Sequence, residues 1–376
     1  MQLLHVMAQN NNQDFFHLVR YAIGASNQVP QIEEQEWEAM FDFAKKQAVL
    51  GIVYGVLQRM GKDVTIPRQL KMKWFFYVEK VKKRNILLNQ RCVELVTKLR
   101  QDGFDSLVLK GQGNAMMYPN PFVRISGDID IFMMVTGGKQ NVSDRRRVVT
   151  DYVRKKFPHT RIRYQHIDYH LFPDVEVEIH FVPTFMNNPL YNHRIQTWME
   201  GLMMEQCQNM VELPEGAGKV AVPTVSFNIV FLLAHMMRHF FDEGIGLRQF
   251  VDYYYLLQTT KQNREIKKDD LERLLRHLGL WKFAGAAMYV MQEVFALREE
   301  FMIAPVDDIR GKTLLDEILK GGNFGKSSGL TDHSTGGKYF AKIWRNLHFV
   351  RQYPHEALCE PVFRTWHFFW RLKQKS

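Results

Sequence analysis

Ser126-Gly127-Asp128-Ile129-Asp130-Ile131 sets two carboxylates at alternate positions of a segment, residues 128–135, whose pattern predicts a strand. Side chains alternate between faces along a strand, so Asp128 and Asp130 share one face while Ile129 and Ile131 take the other. The two carboxylates then lie roughly 6 to 7 Å apart at the backbone, which lets them bracket divalent cations about 3.5 to 4 Å apart. Alone the pattern is weak, because solvated surface carboxylates produce it more often than metal ligands do. Its meaning comes from what flanks it.

Upstream, Asp102-Gly103 is a turn signal, and residues 106–109 read as a short buried strand. That strand runs into Lys110-Gly111-Gln112-Gly113 and a short helix around residues 115–118, stopped by Pro119 and Pro121. Glycines at such a turn let the backbone approach a phosphate, and the helix N-terminus supplies N–H groups and partial positive charge. Lys110 adds a point charge. Downstream, Asp174-Val175-Glu176-Val177-Glu178-Ile179-His180 alternates polar and apolar residues, so Asp174, Glu176, Glu178 and His180 share a face. This strand offers a third carboxylate, and its periodicity does not separate Glu176 from Glu178.

The order of strand, glycine turn, helix, Asp-x-Asp strand and later acidic strand resembles the nucleotidyltransferase superfamily of DNA polymerase β and the antibiotic nucleotidyltransferases. Leu109-Lys110-Gly111, Tyr118-Pro119, Arg124, Gly127-Asp128-Ile129-Asp130-Ile131 and Val177-Glu178-Ile179-His180 are similar to a bacterial family called uncharacterised nucleotidyltransferases. The likeness runs from about residue 40 to about residue 300 and takes in Asn188-Pro189 and Gly244-Ile245-Gly246-Leu247-Arg248-Gln249. It implies Asp128 and Asp130 as paired catalytic metal ligands, and it prefers Glu178 over Glu176 as the third. It implies Lys110, Gly111, Gln112 and Arg124 at the nucleotide, although Gln112 stands where a small residue is usual.

The implied reaction moves a nucleoside monophosphate from a nucleoside triphosphate, ATP being the favoured donor, to an acceptor hydroxyl on a small molecule or protein. Two Mg²⁺ ions, with Mn²⁺ as the alternative, would clamp the attacking and leaving oxygens, and Glu178 would hold the ion that activates the acceptor. Two alternatives stand beside it. One is a non-catalytic nucleotidyltransferase-fold binding or regulatory module, antitoxin-like, which Gln112 slightly favours. The other is an RNA-acting nucleotidyltransferase.

Around this block the periodicity is helical, giving an α+β expectation: a helical region over residues 1–100, a small mixed β-sheet core over 101–200, and a helical domain over 201–376. Within the core, residues 142–157 read as a basic helix, and residues 161–172 and 175–181 as antiparallel strands hinged at Pro173-Asp174. Beyond residue 189 only helices are predicted, and the Gly/Ser-rich stretch ending at Gly337 reads as a flexible loop.

The chain has 376 residues, 46% hydrophobic and 24% charged, a globular composition rather than a disordered or fibrous one. Its net charge of +10 favours anionic partners without choosing among them, and nucleic acid is not the favoured one. The basic clusters at residues 80–84, 145–147 and 371–375 read as solvated helix faces. Three widely spaced cysteines suit a reducing compartment. No signal peptide or membrane span is predicted, so the expected location is cytoplasmic.

Further residues carry blander readings. His235 and His239, four apart on a predicted helix, read as ordinary helix-face histidines, although the resemblance turns that helix toward the cleft. Arg248 and Asp252 read as an i, i+4 ion pair, and His166 and His170 as surface histidines. The aromatic C-terminus, residues 363–375, reads as a helix packing its aromatic stripe on the core.

Overall fold

The computed structural model describes residues 2–60, 66–138, 140–260, 267–323 and 343–373, so the predicted Gly/Ser-rich loop lies outside the described residues. Four helices lead the chain: α1 (Gln2–Ala22), α2 (Trp37–Lys46), α3 (Leu50–Arg59) and α4 (Arg68–Gln101). Pro67 stands at the start of α4, where its missing N–H costs no helical bond. With 34 residues, α4 is about 50 Å long at 1.5 Å per residue.

Next come β1 (Phe104–Val108), α5 (Gln112–Ala115), β2 (Ile129–Val135), α6 (Val142–Lys156), β3 (His166–Asp168) and β4 (Val177–His180). The sheet order is β1-β2-β4-β3. β1 runs antiparallel to β2, β4 parallel to β2, and β3 antiparallel to β4. A parallel pair needs a crossover, and α6 lies in the connection between β2 and β4. This is the predicted mixed sheet with helical flanks. The strands at 161–172 and 175–181 are shorter than expected: only His166–Asp168 and Val177–His180 pair, beside an isolated bridge between Ile162 and Ile167.

The rest is α7 (Pro189–Glu200), α8 (Met203–Gln208), β5 (Met210–Leu213), β6 (Gly218–Ala221), α9 (Val225–Asp242), α10 (Leu247–Thr259), α11 (Lys268–His277), α12 (Trp281–Phe295), α13 (Asp308–Gly321) and α14 (Pro354–Lys373). The hairpin β5–β6 corrects the purely helical reading beyond residue 189. Its turn contains Glu215 and Gly216, both at positive φ.

Alternation along β2 divides the interior. Ile129, Ile131 and Met133 pack with Leu88, Cys92, Leu95 and Leu99 of α4 and Val149 of α6. Phe132 and Met134 face a larger core that joins Phe15, Trp37, Val53 and Trp74 to Phe231, Tyr253, Phe283 and Leu314. The leading and trailing helices therefore share one apolar interior. Asp130 lies on the Phe132 side of β2.

Arg145 departs from the solvated face expected of residues 145–147. It is buried, donates from Nε to the Phe181 carbonyl at 2.7 Å, pairs with Glu200, and lies over the Phe132 ring. Among the described residues, no helix is long and apolar enough to cross a membrane.

Candidate active site

The parallel register pairs Asp130 with Glu178. Neighbours in register project to the same face, so the third carboxylate stands beside the second, with Asp128 just ahead of the strand. One ligand oxygen from each of Asp128, Asp130 and Glu178 lies within 4.8 Å of the others. Three hard oxygen donors at this spacing suit Mg²⁺ or Mn²⁺. Glu176 lines the same cavity but stands outside this triad.

Lys110 Nζ lies 2.9 Å from Asp130 Oδ1, and His180 Nε2 lies 2.9 Å from the same oxygen. Burial works against the Asp130 charge, but the Lys110 ammonium and the His180 hydrogen bond outweigh it and hold the carboxyl well below its usual range. Asp128 goes the other way. Burial first, then the Asp130 charge, pushes it up to about 6. Burial also opposes the Glu178 charge, yet the adjoining His180 outweighs it and leaves the pKa lowered. A divalent cation would relieve the crowding that raises Asp128.

Gly111 has φ of 56°, a left-handed conformation that glycine tolerates, and it lines the cavity beside Lys110. The Gln112 side chain turns the other way. It is buried and donates to Asn89 Oδ1, away from the cavity. Arg124 also lines the cavity, but its guanidinium is engaged: Nε and Nη2 donate to Asp252 at 2.8 and 2.7 Å, and Nη1 to Ser126 Oγ at 2.7 Å. Asp252 is buried and accepts from the Tyr118 hydroxyl and Asn114 as well. Arg248, its expected i, i+4 partner, donates to the Ile125 carbonyl at 2.7 Å. Arg124 and Arg248 thereby hold the segment leading into Asp128 at Ser126 and Ile125.

Four histidines gather near the carboxylates, and among them His166 departs from its sequence reading. His166, expected at the surface, is largely covered, with Nδ1 3.0 Å from Glu178 Oε2, whereas His170 is exposed. Burial and the neighbouring His180 push the His166 pKa down to about 3, so its imidazole is neutral at pH 7. His235 and His239 are buried on α9 with their Nε2 atoms 3.0 Å apart, and His235 Nε2 lies 3.5 Å from Lys110 Nζ. Alternation identifies His180 as sharing the Glu178 face. No sequence signal links His235 to Lys110.

The carboxylates open into a cavity of about 1420 Å³, which α14 also lines through Phe363, Phe368 and Phe369. Part of the aromatic C-terminus packs inward as expected, with Phe363 against Tyr164 and Phe185. Val362, Trp366 and Phe369 remain exposed.

The small mixed sheet carries the Asp-x-Asp pair beside a third carboxylate, within helical flanks, an α+β organisation. Residues 33–296 match the family described as uncharacterised nucleotidyltransferase, and the chain belongs to that family. Among solved structures, an antigenic nucleotidyltransferase-like protein from Paracoccidioides brasiliensis is similar over 58% of this chain and 94% of its own, at 14% identity and a TM-score of 0.35. No curated protein matches the chain.

Proposed function

We propose that the chain is a divalent-metal-dependent nucleotidyltransferase that moves a nucleoside monophosphate from a nucleoside triphosphate, ATP being the favoured donor, to an acceptor hydroxyl. The observation that carries this reading is the β2–β4 register, in which Glu178 stands beside Asp130. Two Mg²⁺ ions, or Mn²⁺, held by Asp128, Asp130 and Glu178 would supply charge stabilisation for the attacking and leaving oxygens. A bond forms between the acceptor oxygen and the α-phosphorus. The bond from that phosphorus to pyrophosphate breaks, and the hydroxyl proton leaves for solvent.

The chain's own groups divide the remaining work. Lys110 neutralises phosphate charge, exchanging its contact with Asp130 for one with the donor. Gly111 admits the phosphates close to the backbone, and Gln112 contributes through its main chain, because its side chain is committed to Asn89. Arg124 acts as a positioning residue through Asp252 and Ser126. The cavity of about 1420 Å³ exceeds the roughly 300–1,000 Å³ of a single small-molecule pocket, which supports room for donor and acceptor together. We assign the acceptor to the side walled by Phe363, Phe368 and Phe369.

Water can stand in for the unidentified acceptor. Purified chain with Mg²⁺ and ATP should release pyrophosphate slowly, and Asp130→Asn should cut that release by about a hundredfold or more. Orthophosphate release in place of pyrophosphate would replace transfer with nucleotide hydrolysis, and no release above a protein-free blank, or equal release by Asp130→Asn, would move the reading to a non-catalytic module.

A further inference from the structure

The face that carries Glu178 continues, on its edge side, into a second set of donors. β3 pairs with β4 so that His166 stands opposite His180 and Asp168 opposite Glu178. Alternation puts these four side chains on one face. His166 Nδ1 lies 3.0 Å from Glu178 Oε2, and His180 Nε2 lies 3.6 Å from the same oxygen. Imidazoles from neighbouring strands thus converge on one carboxylate oxygen, and the three ligand atoms fall within 4.8 Å of one another.

The nitrogens pointing away from that oxygen are also directed. His180 Nδ1 is 2.9 Å from the Gln165 side-chain amide. His166 Nε2 is buried without a hydrogen-bond partner and faces Asp168 Oδ1 at 3.6 Å. Metal-binding imidazoles are oriented in this manner, with the distal nitrogen turned to a carboxylate, carbonyl or water.

We infer that His166, Glu178 and His180 bind a divalent transition ion of the Zn²⁺ or Mn²⁺ class, at a position that adjoins the all-carboxylate set and shares Glu178 with it. Imidazole nitrogen favours such ions over Mg²⁺, which demands oxygen donors. Ligation requires the Nε2 lone pair of His180, so the ion replaces that nitrogen's hydrogen bond to Asp130, and the proton moves to Nδ1, where Gln165 accepts it through Oε1 once the amide turns over and gives up its bond to the Pro183 carbonyl. Gln165, His166 and Glu178 line the cavity, which gives the ion a path from solvent. Because Glu178 is common to both sets, an ion held by the histidines competes for it with ions at Asp128 and Asp130.

This site goes beyond the transfer reading and stands without it. The test uses the full chain without added histidines, stripped by chelator, then dialysed against Zn²⁺ or Co²⁺ in excess Mg²⁺ and analysed for metal. Co²⁺ absorption reports nitrogen ligation. One ion should be retained against Mg²⁺, and His166→Ala and the bulkier His166→Gln should each weaken it roughly tenfold or more. His239→Ala, which alters the other histidine pair in the cavity, should leave it unchanged. Circular dichroism on each variant confirms that the fold is kept. Retention unaffected by either His166 variant, retention lost in His239→Ala, or displacement by Mg²⁺ from the wild type overturns the inference. Nucleotide binding without transition-ion binding would sink this inference alone, and the reverse result would sink the transfer reading alone.

Discussion

Burial and the charge of Asp130 lift the Asp128 carboxyl to about 6, so this residue takes up a proton within an ordinary assay range. An aspartate raised in the folded state contributes stability that is fully present below its unfolded pKa of about 4 and is lost as pH rises through about 6. Asp128→Asn should therefore raise the metal-free melting temperature at pH 8 and leave it nearly unchanged at pH 4. Thermal denaturation at the two pH values checks this, and an equal shift at both would contradict it. Mg²⁺ should reverse the ranking at pH 8 by stabilising only the wild type. The second residue to test is Asp252, whose removal leaves the Arg124 guanidinium buried and unpaired. Asp252→Ala should cost about 3–5 kcal/mol, read from urea denaturation, and an unmoved midpoint would refute the proposed grip. The shared face of Asp128 and Asp130 was legible because strand alternation acts on near neighbours, whereas alternation left Glu176 and Glu178 open and only the resemblance preferred Glu178. The partner of Arg124 was not legible, since it lies 128 positions away and helical spacing offered Arg248 as the obvious mate of Asp252. Alternation assigned His180 to a face but could not say that the same face, at His166, is covered.

At the scale of elements, the predicted helices of the C-terminal half agree with the structure, because long amphipathic stretches carry a strong 3.6-residue signal. Short strands do not. The hairpin β5–β6 has four residues on each side, too few for alternation to stand out, although Pro214 and Gly216 mark its turn. Contact between elements was equally invisible. α3 approaches the segment before Asp128 through Gly51, where an added Cβ would meet the Val123 carbonyl oxygen at 2.2 Å. Gly51→Ala must push that carbonyl away, and Arg124 is the next residue. The substitution should destabilise by about 1–3 kcal/mol and weaken Mg²⁺-nucleotide binding although it touches no ligand. Calorimetry on the folded variant checks the second effect, and unchanged affinity would uncouple α3 from the site.

For the whole molecule, α4 runs through both apolar interiors, with Trp74 and Val78 in one and Leu88, Leu95 and Leu99 in the other. The leading and trailing helices share the larger interior, so the described parts should unfold together. Tryptophan fluorescence and far-ultraviolet circular dichroism should trace one urea transition, and separated midpoints would indicate regions that fold independently. Periodicity reveals helices but not which of them pack together, so the sequence did not show that the leading and trailing helices share one interior.

The central claim is that Asp128 and Asp130, with Glu178, form a metal-dependent nucleotide site. Calorimetry of ATP, GTP, CTP and UTP binding with and without Mg²⁺, on wild type and on the Asp128→Ala, Asp130→Ala double variant, tests it most directly. The expected result is saturable Mg²⁺-dependent binding of at least one nucleotide, ATP before the others, that disappears in a double variant still folded by circular dichroism. Binding that is independent of Mg²⁺, or that survives in the double variant, would contradict it.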